Sequence, residues 1–469
     1  MFNEPQLRSL PAGAPAPAAS MAAPLRPLRV GMIGIGTVGG GTWAVLQRNQ
    51  ALIAARAGRG IEIVAVAARN LARARTVLQG APGVMLTDDP LQVAAHPDVD
   101  AVVEVAGGTG PARDWVLAAI AHGKHVVTAN KALLAVHGRE IFAAAQQHGV
   151  AVAYEGAVAV SLPIVKALRE GLVANRIDWL AGIINGTSNF ILTRMRDEGV
   201  DFASALAEAQ SLGYAEADPA FDVDGVDAAH KATLLAANAF GMSVQFDRVH
   251  VEGIRALLPL DVACARQLGF SIKLLGIARR QGGGVQLRVH PALLPARHLL
   301  AQVDGSMNGV LVKGDAAGVT MYYGAGAGAE PTASAVVADL VDVARLQPGS
   351  APHHRVPALA FHPEAQCDLP VWPMHEVVTH HYLRVPLASQ PHRPQQDAAQ
   401  TLAALAPVLQ RCQVPVESLQ LHADARGALH ALVLTGPARD ADAASAAHAL
   451  AALPACGGQV VRLRVEQLE

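Results

Sequence analysis

Leu28-Arg29-Val30-Gly31-Met32-Ile33-Gly34-Ile35-Gly36-Thr37-Val38-Gly39 is the stretch whose reading decides the fold. Residues 28–33 are an apolar run of strand length. They enter a G-x-G-x-x-G on Gly34, Gly36 and Gly39, with Thr37 and Val38 inside the motif, and a helical pattern continues to about residue 50. Glycines in such a turn let the backbone approach a pyrophosphate at the helix N-terminus. The motif alone is a weak signal; the strand before it and the helix after it supply its context.

Outward from this motif the chain alternates strands and helices. Residues 61–66 read as a second strand, 100–105 as a buried one, 125–128 and 150–154 as two more. That alternation predicts a parallel, doubly wound α/β sheet, with a dinucleotide lying across the strand ends. Gly107-Gly108-Thr109 and Thr128-Ala129-Asn130-Lys131 stand at such ends, which makes Thr109 and Lys131 candidate cofactor contacts. After the second strand, where an acid usually meets a ribose hydroxyl, the chain reads Ala67-Ala68-Arg69-Asn70. Arg69 either meets a 2′-phosphate, favouring NADP over NAD, or is a solvated arginine at a helix start.

The remainder divides into further units. Residues 162–171 read as a helix, and 178–184, 270–277, 286–289, 309–313 and 319–323 as strands of a mixed sheet in an α+β domain. Gly324-Ala325-Gly326-Ala327-Gly328 then leads into a helix over 331–347 that returns to the first domain. Those alternating glycines mark either backbone close to a ligand or second domain, or a flexible loop. Residues 380–469 follow a βαββαβ order. The expected boundaries are a disordered leader at 1–26 (with Met21 as an alternative start), a dinucleotide-binding domain at 27–155, an α+β domain at 156–330 that carries catalysis and oligomerisation, a linker at 348–379 and a separable C-terminal domain at 380–469.

Composition narrows the class. In 469 residues, 51% are hydrophobic, 16% are charged and the net charge is −2, a globular profile without the basic surface that nucleic acid or a membrane face would need. No apolar run reaches the roughly 18 residues of a membrane span. The four cysteines, Cys264, Cys367, Cys412 and Cys456, form no CxxC pair and fit free thiols in a reducing, cytoplasmic compartment. Ten of the 19 histidines fall between His353 and His448 without ligand spacing, and read as surface residues.

The densest chemistry is in residues 213–231, GYAEADPAFDVDGVDAAHK, with Glu216, Asp218, Asp222, Asp224 and Asp227 followed by Lys231. Asp227 and Lys231 are i and i+4 on one helix face. An EF-hand calcium loop fails on spacing, because Ala220 stands where its first acid should be. Two readings stay open on chemistry alone: a solvated acidic loop with a surface ion pair, or a polar substrate site in which a lysine exchanges a proton with a substrate oxygen.

GIGTVG at Gly34, TANKALLA at Thr128, GIINGTSNFI at Gly182, the acidic segment at Gly213 and PTASAVVADLVDVAR at Pro331 occur in one order, and over about residues 27–347 the chain resembles the homoserine dehydrogenase family. The resemblance implies NAD(P)-dependent interconversion of L-homoserine and L-aspartate 4-semialdehyde, in a homodimer or homotetramer, on the route to threonine and methionine. It implies Lys231 as proton donor, with Asp227 beside it. Lys131 would contact cofactor and substrate, Glu216 the substrate amino group and Asp222 the substrate. Gly326 would lie against the cofactor. A monovalent cation, Na or K, would be held by the backbone around Glu155, Val158, Val160 and Leu162. Two features depart from the family pattern. Ala159-Val160-Ser161 replaces glycines, which keeps open an oxidoreductase of another amino-acid aldehyde or a weakly active NADP-binding sensor. The C-terminal unit resembles an ACT regulatory domain, but Gln390-Pro391-His392-Arg393-Pro394 stands where Pro-Gly is usual.

Overall fold

The computed structural model describes residues 25–346, 355–388, 398–424 and 426–468. The expected leader up to residue 24, part of the linker and the Gln390–Pro394 departure lie outside the described residues. Arg26 is already tied to Asp100, at 2.6 and 2.9 Å.

Six parallel strands form the first sheet: β1 (Leu28–Ile33), β2 (Ile61–Ala67), β3 (Met85–Thr87), β4 (Ala101–Glu104), β5 (His125–Thr128) and β6 (Val152–Ala153). Their spatial order is β3-β2-β1-β4-β5-β6, the doubly wound arrangement of a Rossmann domain. The strands read as continuous apolar runs because helices cover both faces. Val30, Ala101 and Val103 face a core built with Val336 and Leu340 of the helix Ala329–Arg345, which returns from the far side of the second domain. Val102 and Val126 face the opposite core, with Ile120 and Leu133.

The second sheet is mixed. It comprises β7 (Ile177–Ile183), β8 (His250–Val251), β9 (Phe270–Gln281), β10 (Gly284–Pro295), β11 (Met307–Gly314), β12 (Gly318–Ala325), β13 (Val378–Pro386), β14 (Val416–Ala423), β15 (Leu429–Thr435), β16 (Ala438–Arg439) and β17 (Val461–Val465). The order along it is β12-β11-β7-β9-β10-β17-β13-β15-β14, with β8 on β10 and β16 on β13. The hairpin β9–β10 is longer than the two short strands expected from sequence; the middle of β9 and nearly all of β10 are buried, polar positions included.

The C-terminal βαββαβ unit is present, yet it is not a detached tail. Its strand β17 pairs in parallel with β10 through Ala292↔Arg464 and Leu293↔Val465, so one sheet runs through both units. Tyr382, Leu432, Leu463 and Val465 belong to the same core as the second domain. His381 and His430 are buried here, which corrects the surface reading of the histidines in this region. They lie on β13 and β15, inside the continuous sheet, where sequence spacing gave no sign of burial.

Candidate active site

The helix Val226–Phe240 lies against the second sheet, buried along nearly its whole length. Gly276 of β9 permits the approach: a Cβ there would stand 2.8 Å from Ile184 Cδ1 and 3.3 Å from Ala232 Cβ. This packing carries Asp227 and Lys231 into the interior, 3% and 7% exposed. A solvated acidic loop with a surface ion pair is thereby excluded for these two residues.

Lys231 Nζ donates to Asp227 Oδ2 at 2.7 Å and to the Ile184 carbonyl at 2.7 Å. Lys131 Nζ approaches Asp227 Oδ1 at 3.0 Å from the other domain. Asn185 Nδ2 donates to Asp222 Oδ1 and Asp227 Oδ2, each at 2.8 Å. Lys131 is brought in because Asn130 caps its helix, accepting from Leu133 N at 3.1 Å and donating to the Gly108 carbonyl at 2.7 Å. Asn185 is held in the same way, at the end of β7, by capping Gly186–Glu198 through Ser188 N.

The electrostatics follow from burial and pairing. Burial opposes charge on Asp227, but the Lys231 and Lys131 ammoniums outweigh it and hold the carboxyl well below its usual range. Burial lowers the Lys231 pKa below the ordinary lysine value, and Asp227 only partly offsets this. The Asp222 carboxyl is pushed up by burial and by the Asp227 charge beside it.

A cleft of about 360 Å³ opens beside this cluster, lined by Val38, Gly107, Gly108, Asn130, Lys131 and Phe221 among others. The three motif glycines serve it differently. Gly34 has φ +101°, and a Cβ there would sit 2.8 Å from Ala106 N; a Cβ at Gly39 would collide with the Gly34 carbonyl. Around Gly36 there is open space, and no side chain caps the helix Thr37–Arg48, so its first amides are left for an anion. These residues therefore fit a dinucleotide pyrophosphate. Arg69 is exposed just past β2, and Thr109 stands at the N-terminus of the helix Gly110–Ala121. Gly326 packs on the buried Asn308 side chain, with no room for a Cβ.

Not every expected residue joins the cluster. Glu216 is exposed on the loop ahead of the turn, and its carboxylate is outside the network that ties Asp222, Asp227 and the lysines. Asp224 pairs outward with Arg255. The Glu155 carboxylate accepts from Val165 N at 3.0 Å and Lys166 N at 2.8 Å, so it caps a short helix. Ala159 adopts φ +48°, a left-handed conformation that costs a non-glycine residue roughly 1 kcal/mol or more.

Sequence reasoning passed over Asn185, the Ile184 carbonyl, Phe221 and Glu104. Asn185 sits in a strand-end Asn-Gly turn, which could have marked it as a cap. Glu104 ends β4 and is fully buried, accepting from Ala106 N, Gly107 N and Thr128 Oγ1 at 2.8–3.1 Å. It shapes the Gly107-Gly108 wall of the cleft. An acid closing an otherwise apolar strand was its only signal.

A parallel sheet with a glycine turn left open for phosphate, facing a buried lysine–carboxylate cluster on a second domain, is the architecture of a nicotinamide-dinucleotide-dependent oxidoreductase acting on a small molecule. The family model for the NAD-binding domain of homoserine dehydrogenase matches residues 34–155, and the homoserine dehydrogenase model matches 163–341. A homoserine dehydrogenase of Pseudomonas aeruginosa is 52% identical over 95% of this chain and all of its own length; one of Neisseria gonorrhoeae is 47% identical with the same coverage. The crystal structure of a homoserine dehydrogenase from Thiobacillus denitrificans superposes with a TM-score of 0.87 at 53% identity, covering 94% of this chain and 99% of its own. The chain belongs to the homoserine dehydrogenase family.

Proposed function

We propose that this enzyme interconverts L-homoserine and L-aspartate 4-semialdehyde with NADP preferred over NAD, and that Lys231 exchanges the proton with the substrate oxygen. The observation that carries this reading is the Lys231 ammonium. Of its three N–H groups, one meets Asp227 and one the Ile184 carbonyl, which leaves the third for a substrate oxygen.

The nicotinamide ring, when bound, supplies or accepts the hydride at C4. In aldehyde reduction Lys231 stabilises the developing oxyanion and donates its proton; in alcohol oxidation neutral Lys231 takes the hydroxyl proton. Its lowered pKa serves both directions. Asp227 keeps the lysine oriented and, through Lys131, ties the two domains together at the site. Asp222 contacts the substrate, and Glu216 meets its ammonium as an exposed carboxylate can. The cofactor is held by Gly34, Gly36, Thr37, Val38, Gly39, Thr109, Lys131 and Gly326. Arg69 pairs with the 2′-phosphate.

Several further assignments belong to the same reading. Carbonyls around Glu155, Val158, Val160 and Leu162 hold a monovalent cation. The edge strand β12, which exposes Val319 and Tyr323, pairs copies into a homodimer or homotetramer. The enzyme works in the cytoplasm. Residues 380–469 are an ACT-like domain: its strand order β17-β13-β15-β14 is the one a βαββαβ unit of that kind takes. A second reading, slow turnover, is favoured by one observation, the left-handed conformation of the buried Ala159 where the family pattern has glycine.

The test is absorbance at 340 nm with L-homoserine and either NADP or NAD at alkaline pH. A homoserine-dependent rise, faster with NADP, is expected; no rise from protein that still binds NADPH would move the weight to the second reading. Arg69→Ala should weaken NADPH far more than NADH, and equal losses would remove the phosphate contact.

A further inference from the structure

The turn bearing Asp222 and Asp227 is braced from behind by residues 250–255. Ile254 N donates to the Val223 carbonyl at 2.8 Å. Gly253 packs so closely that a Cβ there would stand 2.5 Å from Asp224 Cα and nearer still to the Val223 oxygen. Gly225, at φ +85°, rests on Val251: a Cβ there would be 3.1 Å from Val251 Cγ1 and 3.3 Å from the Glu252 carbonyl oxygen. Arg255 closes the far end by pairing with Asp224. With contacts this close along both backbones, the turn moves only if the brace moves.

The brace is itself anchored in the C-terminal unit. Val251 pairs with Val289 of β10, and Glu252 N donates to the Val289 carbonyl at 2.8 Å. The Glu252 carboxylate is gripped by both terminal nitrogens of Arg464, at 2.7 and 2.8 Å, and His250 Nε2 lies 2.8 Å from its Oε1. Arg464 is 2% exposed on β17, and its Nε donates to Asp440 Oδ1 at 2.8 Å, so its own position is fixed from the other side. Neither Glu252 nor Arg464 is part of the lysine–carboxylate cluster.

We propose that Glu252 and Arg464 are positioning residues: their fork-to-fork pair lets the C-terminal unit set the place of the Asp222–Asp227 turn relative to Lys131 and the cofactor cleft. The inference rests on the reading of Asp222 and Asp227 as substrate-side groups. A bidentate arginine–carboxylate pair fixes direction as well as distance. Its loss frees the brace at Glu252 while the β8–β10 pairing holds the other end, so the turn shifts by tenths of an ångström and does not unfold. Misplacement of a reacting group by 1 Å costs about 100-fold, so a shift of that smaller size is expected to cost about five- to tenfold.

The experiment uses the full-length enzyme with Glu252→Gln, Arg464→Lys and the double substitution, and measures kcat and both KM values for homoserine oxidation. The pair predicts an about five- to tenfold lower kcat with a raised homoserine KM and an unchanged NADP KM, because the cofactor turn lies on the other sheet. It also predicts non-additivity, with the double variant no worse than the poorer single one. A fall in thermal stability with unchanged kinetics would overturn the proposal, as would equal rises in both KM values. Should Glu252→Gln fail to fold, Arg464→Lys, which keeps the charge and loses the fork, carries the same test. Lys231→Ala is run alongside: near-normal kcat there would sink the reading of the site itself, whereas an inactive Lys231→Ala with an unaltered Glu252→Gln would sink the clamp alone.

Discussion

Two buried ionic networks sit on the same second sheet and behave differently. At the cleft, Asp227 faces Lys231 and Lys131, Lys131 remains 31% exposed, and Lys231 has a donor to spare. At the seam between β10 and the C-terminal unit, Arg288 pairs with Glu466, Arg464 with Glu252 and Asp440, and Arg384 with Asp261 at 2.6 Å. The seam arginines are 2–4% exposed, and each finds a carboxylate. An incomplete network bordering a cleft is poised to take a ligand. A network with each charge matched fixes geometry, because removing a carboxylate strands a buried arginine without water. The difference shows that burial of charge is not by itself a sign of chemistry; a charged cluster that borders an open cleft is.

The sharpest break of the comparison is Lys231→Ala. It should lower kcat by about 100- to 10,000-fold, the range of a positioned proton donor, with little change in NADPH affinity measured by fluorescence titration. At the seam, Arg288→Met should leave the enzyme's chemistry intact but destabilise the fold by about 3–5 kcal/mol, visible in urea melts. Arg288→Met with Glu466→Met should recover much of that loss; a double variant as unstable as the single would mean the pair is not the cause.

A milder test distinguishes the networks by pH. Because burial lowers the Lys231 pKa, kcat/KM for homoserine oxidation, which needs the neutral amine, should rise with pH through a midpoint below 10.5, while aldehyde reduction falls through the same midpoint. The effect should vanish in Lys231→Arg. The smallest effect concerns His381, whose pKa burial pushes down to about 4, with the nearby arginines adding to the shift. The unfolded chain takes up this proton near 6.5 and the folded one only near 4, so stability falls as pH drops between those values, by roughly 1–3 kcal/mol. His381→Phe should flatten that slope in thermal melts at pH 7 and pH 5.

The seam also bears on the expectation of a removable tail. Cutting at residue 380 would uncover the edge of β10 and take Arg464 from Glu252, Arg384 from Asp261 and Glu466 from Arg288. Insoluble protein is the expected outcome of that deletion.

What could be read from the sequence was local. The first sheet was legible because strands covered on both faces leave unbroken apolar runs, and because at Gly34 and Gly39 only glycine fits the turn after β1. The acidic stretch showed Asp227 and Lys231 on one helix face, since i and i+4 neighbours need no tertiary information. The rest depended on contacts across distance. Lys131 meets Asp227 only when the two domains close on each other. Asn185 meets Asp222 and Asp227 because β7 ends where the helix Val226–Phe240 passes. Gln286, Arg288 and His290 alternate along β10 as a solvent face would, yet they are buried, because β17 and the residue after it arrive from far along the chain, Glu466 standing 178 residues after Arg288. Periodicity reports which side a residue faces; what stands on that side is decided by the packing of the whole chain.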